Sequence, residues 1–154
     1  MRALIVSDVH GDSGALERVL EKEYCQDIFC LGDGIRQYED AREFHPDVHF
    51  HIVKGNCDWD NFYPAVNLEE WGGKRVEYMH GHLQDVKRTL TVAVSMGLRD
   101  RADILLFGHT HEPYLNQEKE MLVCNPGSLA RGDYAVMMQE GADCQITLKS
   151  LFDK

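Results

Sequence analysis

Five times along this chain an apolar run ends abruptly in a short segment of glycine, aspartate, asparagine or histidine. Ala3-Leu4-Ile5-Val6 leads to Asp8-Val9-His10, and Ile28-Phe29-Cys30-Leu31 to Gly32-Asp33-Gly34. Val48 to Val53 leads to Gly55-Asn56-Cys57-Asp58, Arg75 to Met79 to His80-Gly81-His82, and Ile104 to Phe107 to Gly108-His109-Thr110-His111. Short apolar runs closed by glycine and turn residues read as buried strands. In an open α/β sheet the loops at the carboxyl ends of the strands converge, so their polar contents meet. Asp8/His10 and His109/His111 are both i, i+2 pairs, a spacing that places two side chains on one face of extended backbone. The repeated placement points to one site assembled from five loops.

Helical patterns separate the first runs. Leu16, Val19 and Leu20 recur at helical spacing behind Asp12 and Ser13, either of which can cap the helix. A second helix is predicted from about Arg36 to Phe44, stopping at His45 because the residue before a proline avoids the α region. A third is predicted from Val86 to Arg101. Met121–Cys124, Ala135–Met138 and Cys144–Leu148 read as a closing antiparallel meander. Strands alternating with helices and then a run of strands imply an α/β domain with mixed sheets. The chain length suits a single domain over residues 1–154, without repeat or linker.

The 16 basic against 26 acidic residues give a net charge of −10. That argues against a basic grip on bulk nucleic acid and against docking to an anionic membrane. No run approaches the roughly 18 apolar residues of a membrane span, and the apolar N-terminal run is too short for a secretory signal. The five cysteines are odd in number and lack C-x-x-C spacing, which predicts reduced thiols in a cytoplasmic protein. Eight histidines in so acidic a chain are the local exception. His45 sits in a pre-proline turn, and His49 and His51 share a strand face and are expected to be exposed. These three are set aside.

The ordered set Asp8-x-His10, Gly32-Asp33, Gly55-Asn56-x-Asp58, His80 and Gly108-His109-x-His111 resembles the calcineurin-like metallophosphoesterase superfamily. Asn125-Pro126-Gly127-Ser128 and the Asn56-Cys57-Asp58 form make it similar to the small YfcE-like phosphodiesterase branch. The resemblance implies a four-layer α-β-β-α sandwich, two mixed β-sheets flanked by helices. It also implies two divalent metal ions, one held by Asp8, His10 and His111 and the other by Asn56, His80 and His109, with Asp33 bridging. Carboxylate, imidazole and amide oxygen suit Mn²⁺ first, with Ni²⁺, Fe²⁺ and Zn²⁺ as further choices. Two such ions outweigh the charges of Asp8 and Asp33, so the site would be locally positive within an acidic protein.

The implied activity is metal-dependent hydrolysis of a small phosphodiester, a nucleotide among the candidates, by hydroxide generated between the ions. One position departs from the family pattern: Cys57 stands where many members have a histidine that protonates the leaving group. A neutral thiol, with a pKa of about 8.5, replaces an imidazolium poorly. The candidate catalytic groups are therefore Cys57, Asp58 and His82, with His82 the nearest acid and Asp58 suited to orienting a neighbour. Arg36, Ser128 and Arg131 are candidates for contacting phosphate. The resemblance implies a homo-oligomer as well. The competing expectation is a protein-interaction scaffold of the same fold, like the retromer subunit, with weak or vestigial catalysis.

Overall fold

The computed structural model describes residues 1–59 and 61–152. The elements run β1 (Arg2–Val6), α1 (Ser13–Lys22), β2 (Asp27–Cys30), α2 (Ile35–Phe44), β3 (His49–Ile52), β4 (Val66–Trp71), β5 (Lys74–Met79) and α3 (Thr91–Arg99). They continue with β6 (Ile104–Leu106), β7 (Tyr114–Glu118), β8 (Met121–Asn125), β9 (Asp133–Glu140) and β10 (Asp143–Ser150). Two five-stranded mixed sheets result, ordered β10-β9-β1-β2-β3 and β4-β5-β6-β8-β7. β1, β2 and β3 are parallel through the α1 and α2 crossovers, and β5, β6 and β8 are parallel in the other sheet.

The strands read as continuous apolar runs because both of their faces are covered. Leu4, Val6, Ile28 and Cys30 pack under α1 and α2 with Val19 and Tyr38. Their alternates Ala3, Ile5, Phe29 and Leu31 meet Val76, Tyr78, Ile104 and Leu106 of the second sheet. Met79, Leu105 and Val123 point the other way, toward Ala93 of α3. Helices, sheet, sheet and helix therefore form the four layers. α1 starts where Asp12 accepts a hydrogen bond from the Ala15 amide, 3.0 Å.

Three expectations need correction. Met121–Cys124 is no part of a meander with the last two strands: β8 lies parallel to β6 and antiparallel to β7, whereas β9 and β10 pair with each other in the other sheet. Two strands, β4 and β7, carry too many polar residues (Asn67, Glu69, Glu70, Asn116, Gln117) to stand out as apolar runs; both are edge strands. The third helix spans only Thr91–Arg99, preceded by turns over residues 82–88. His51 is also no exposed bystander. Its ring stacks on Phe29 and lies 2.8 Å from Asp27 and 2.6 Å from Glu69, joining the β3 and β4 edges of the two sheets.

Glu77 of β5 is buried on the α3 side and shares a hydrogen bond with Asp100. Burial, then the Asp100 carboxylate, push its pKa to about 8. The folded state thus keeps a proton that the unfolded chain releases near pH 4.5, so Glu77 makes stability fall as pH rises from about 4.5 to 8. Glu77→Gln is expected to raise the Tm at pH 9, by a few kcal/mol in stability, and to leave it nearly unchanged at pH 4. Thermal unfolding followed by circular dichroism at the two pH values checks this. An equal shift at both would show that charge is not the cause.

Candidate metal centre

Within each parallel strand set, the loops at the carboxyl ends are joined by backbone hydrogen bonds. The Asp8 amide donates to the Gly32 carbonyl at 3.1 Å, and the Gly108 amide to the His80 carbonyl at 2.9 Å. The loops come so close that two glycines are obligatory. A Cβ on Gly55 would sit on the Asp33 carboxylate, and one on Gly108 would strike the Ser7 hydroxyl.

The side chains of Asp8, His10, Asp33, Asn56, His80, His109 and His111 are brought together at this edge. His10 Nε2 and His111 Nε2 stand 3.2 Å apart, with Asp8 Oδ1 3.5 and 3.2 Å from them. His80 Nε2 lies 3.2 Å from Asp33 Oδ2, 3.1 Å from Asn56 Oδ1 and 3.2 Å from His109 Nδ1. Asp33 Oδ2 reaches His10 Nε2 at 3.9 Å, linking the two groups. Two donors each about 2.0–2.2 Å from one divalent ion stand about 3.0–3.5 Å apart, so most of these separations suit shared coordination.

The polar accounting agrees. Asp8 Oδ2 accepts from the Ser7 hydroxyl at 2.7 Å and from the His109 amide at 3.0 Å, whereas Asp8 Oδ1 is buried without a hydrogen-bond partner among the described residues. An orphaned carboxylate oxygen is costly unless something else meets it. His80 Nδ1 donates to the Leu31 carbonyl at 2.7 Å, which fixes the ring and aims its Nε2 at the cluster. The donor set fits divalent ions.

The local backbone is strained. Of eight non-glycine residues with positive φ among the described residues, five belong to the cluster: Asp8, His10, Asp33, His109 and His111. Each costs about 1 kcal/mol or more and persists only where the surroundings enforce it. The i, i+2 pairs therefore converge through left-handed turns and not through the extended backbone expected from the spacing.

Charge is tuned around the buried His80. Burial alone would raise the Asp33 carboxyl, but its contacts with His80 and the Cys57 amide hold it well below the usual carboxylate range. Burial would lower His80, yet Asp33 and Asp8 outweigh it and raise its pKa. Burial, reinforced by the His80 charge, lowers His109 to about 4 and also lowers His82. Burial followed by Asp33 raises the Cys57 thiol.

The other predicted residues sort by what they touch. Asp58 accepts hydrogen bonds from four backbone amides: Asp33 (2.7 Å), Gly34 (3.1 Å), Ile35 (3.3 Å) and Gly55 (2.7 Å). It ties the β2–α2 turn to the β3 loop and satisfies the start of α2, where Gly34 has no side chain to do so. Cys57 is exposed, with its amide 2.8 Å from Asp33 Oδ1. The His82 ring is 5.5 Å from His80 and 6.2 Å from His109, its Nδ1 buried without a partner among the described residues. Ser128 does not face a substrate: it is buried and donates to the Asp8 carbonyl at 2.9 Å. Arg131 is exposed, 3.8 Å from Glu112.

Three supporting groups escaped the sequence reading. These are Ser7 against Asp8, the Leu31 carbonyl against His80, and Asn125, whose amide holds the Gly108 carbonyl at 3.1 Å. Ser7 and Leu31 directly precede cluster segments, and Asn125 opens the Asn-Pro-Gly-Ser turn, but only the fold shows what they hold.

Residues 1–140 match the model of the calcineurin-like phosphoesterase superfamily domain, a span that contains every member of the cluster. The chain belongs to that superfamily. Its relatives include a probable metallophosphoesterase, YsnB of Bacillus subtilis, 29% identical over 130 residues covering 84% of this chain and 75% of that protein. The phosphodiesterase YfcE of Escherichia coli K12 is 29% identical over 157 residues, covering 84% and 80%. Among solved structures, a predicted phosphoesterase of Streptococcus pneumoniae superposes with a TM-score of 0.80 at 25% identity, covering 97% of this chain and 88% of the other. Vps29 of Entamoeba histolytica, solved with zinc, shares the fold at a TM-score of 0.80 and 20% identity, covering 99% and 94%. The family binds divalent metals and comprises phosphoesterases, and the clustered carboxylates and imidazoles give this member the donors for such ions.

Proposed function

We propose that this calcineurin-like phosphoesterase is a phosphodiesterase that hydrolyses a small phosphodiester with two divalent ions, within a single catalytic domain. The observation that carries the reading is the convergence of the orphaned Asp8 Oδ1 with imidazole nitrogens 3.2 and 3.5 Å away, beside a second set around His80. Asp8, His10 and His111 would hold one ion, Asn56, His80 and His109 the other, and Asp33 would lie between them. Such ions, Mn²⁺ the first to try, lower the pKa of bound water and draw charge from phosphate oxygens.

The chain's own groups prepare that chemistry. Asp33 stays ionised, held low by His80 and the Cys57 amide, and so is ready to bridge. His109 stays neutral, keeping a lone pair free to bind. Asp58 is a positioning residue that fixes the Asp33 and Gly55 backbones and, with both oxygens engaged, is not a proton donor. Cys57 beside Asp33 remains a neutral thiol, and His82 is lowered toward the neutral form. Neither is a strong acid for the leaving group.

Leaving groups that need no proton are therefore favoured. Across a series of aryl methyl phosphates, kcat is expected to fall steeply as leaving-group pKa rises, and Cys57→His should flatten that slope. An unchanged slope in the variant would remove Cys57 from the leaving-group side. The reaction itself is tested with bis-p-nitrophenyl phosphate beside the monoester, with and without Mn²⁺. Turnover of the diester only when metal is present supports the proposal. The Vps29 fold likeness favours a second reading, an interaction scaffold, which predicts no turnover with any divalent ion.

A further inference from the structure

A groove of about 760 Å³ opens from the metal centre at His10 and Asp33 and runs along the outer face of α2. Arg36, Asp40 and Glu43 line it, spaced i, i+4 and i+7 on one helix face and spanning about 10 Å at 1.5 Å per residue. Trp59 also lines it. Its indole is fully exposed, a large apolar surface left in water next to the reacting centre. The residue immediately before it is held in place, the Asp58 carboxylate accepting from four backbone amides. A flat ring could stack on Trp59 while its phosphorus sits at the metal centre.

The rest of the lining narrows the class. Arg36 lies one residue into α2, at the metal end, where its guanidinium suits a phosphate oxygen. Asp40 and Glu43, farther along, accept hydrogen bonds from hydroxyl or N–H donors. A ligand with phosphate at one end, hydroxyls in the middle and a flat ring beyond matches that sequence of groups. We propose that the α2–Trp59 groove seats one ester arm of the substrate and selects a nucleoside there. The proposal rests on the phosphodiesterase reading and adds its substrate class: nucleoside phosphodiesters.

The test uses the full chain loaded with Zn²⁺, followed by tryptophan emission and calorimetry. Thymidine 5′-monophosphate is expected to quench Trp59 and to bind about tenfold tighter than methyl phosphate, the size a base stack carries. Trp71 is buried and stays a constant background. Trp59→Ala should abolish the quench and bring the two affinities together, while Trp59→Phe retains most of the preference. Equal affinity of wild type for the two phosphates overturns the groove, whether or not bis-p-nitrophenyl phosphate is hydrolysed. Selective, Trp59-dependent binding of the nucleotide by a chain that hydrolyses no diester overturns the catalytic reading and leaves the groove standing.

Discussion

Asp33→Asn is expected to lower kcat on bis-p-nitrophenyl phosphate by at least a hundredfold and to lose at least one bound ion. Asparagine keeps the shape, and its Oδ1 can still accept from the Cys57 amide, now 2.8 Å from Asp33. The fold should therefore survive, and circular dichroism should show it. What disappears is the negative oxygen 3.2 Å from His80 and 3.9 Å from His10, which reaches a histidine of each donor group. Outer partners of metal ligands already cost about 10–100-fold when removed, so a bridging ligand should cost more. Metal content by mass spectrometry and activity should fall together. Wild-type activity in a folded Asp33→Asn protein would mean that Asp33 does not bridge.

The second large effect is expected at Asp58, by a different route. Asp58→Ala leaves four backbone amides without their acceptor, two of them opening α2. Hydrogen bonds to a charged acceptor contribute about 1.5–3 kcal/mol each, though not additively. A loss of about 3 kcal/mol in unfolding free energy is expected, measured by urea denaturation. Activity should fall as well, since the same amides set the backbone of Asp33 and Gly55. Asp58→Asn retains one acceptor oxygen and should recover part of both losses together. If Asp58 were instead a proton donor, Asp58→Asn would keep stability while losing the alkaline limb of the pH profile.

Much of this was legible before the fold. The apolar runs closed by Asp, Gly and His marked the strand ends, because strands buried on both faces must be apolar throughout and only their ends can carry donors. The seven donors fell on those ends, and the structure brings them within reach of one another. Edge strands were invisible for the converse reason: β4 and β7 face solvent along one side, so Glu69, Glu70 and Asn116 dilute their pattern. The partner sheet of Met121–Cys124 depends on a crossover between sheets, which local pattern does not encode.

His51 shows a further limit. Its neighbours Asp27 and Glu69 come from strands of both sheets, so nothing within a few residues announces the pairing. The same holds for Ser128, which looked like a phosphate contact and instead holds the Asp8 carbonyl across 120 residues of chain. Backbone strain was hidden too. The i, i+2 spacing set Asp8 beside His10, but His109 meets His80 while His111 meets Asp8 and His10, and left-handed turns, not extended strands, deliver them.

The central claim is that two ions, held by one cluster, make this chain a phosphodiesterase. Stripping the protein of metal and titrating Mn²⁺ back while following bis-p-nitrophenyl phosphate hydrolysis tests it most directly. The expected result is negligible turnover without metal and a plateau at two ions per chain. A plateau at one ion, or turnover that is indifferent to metal, would contradict it.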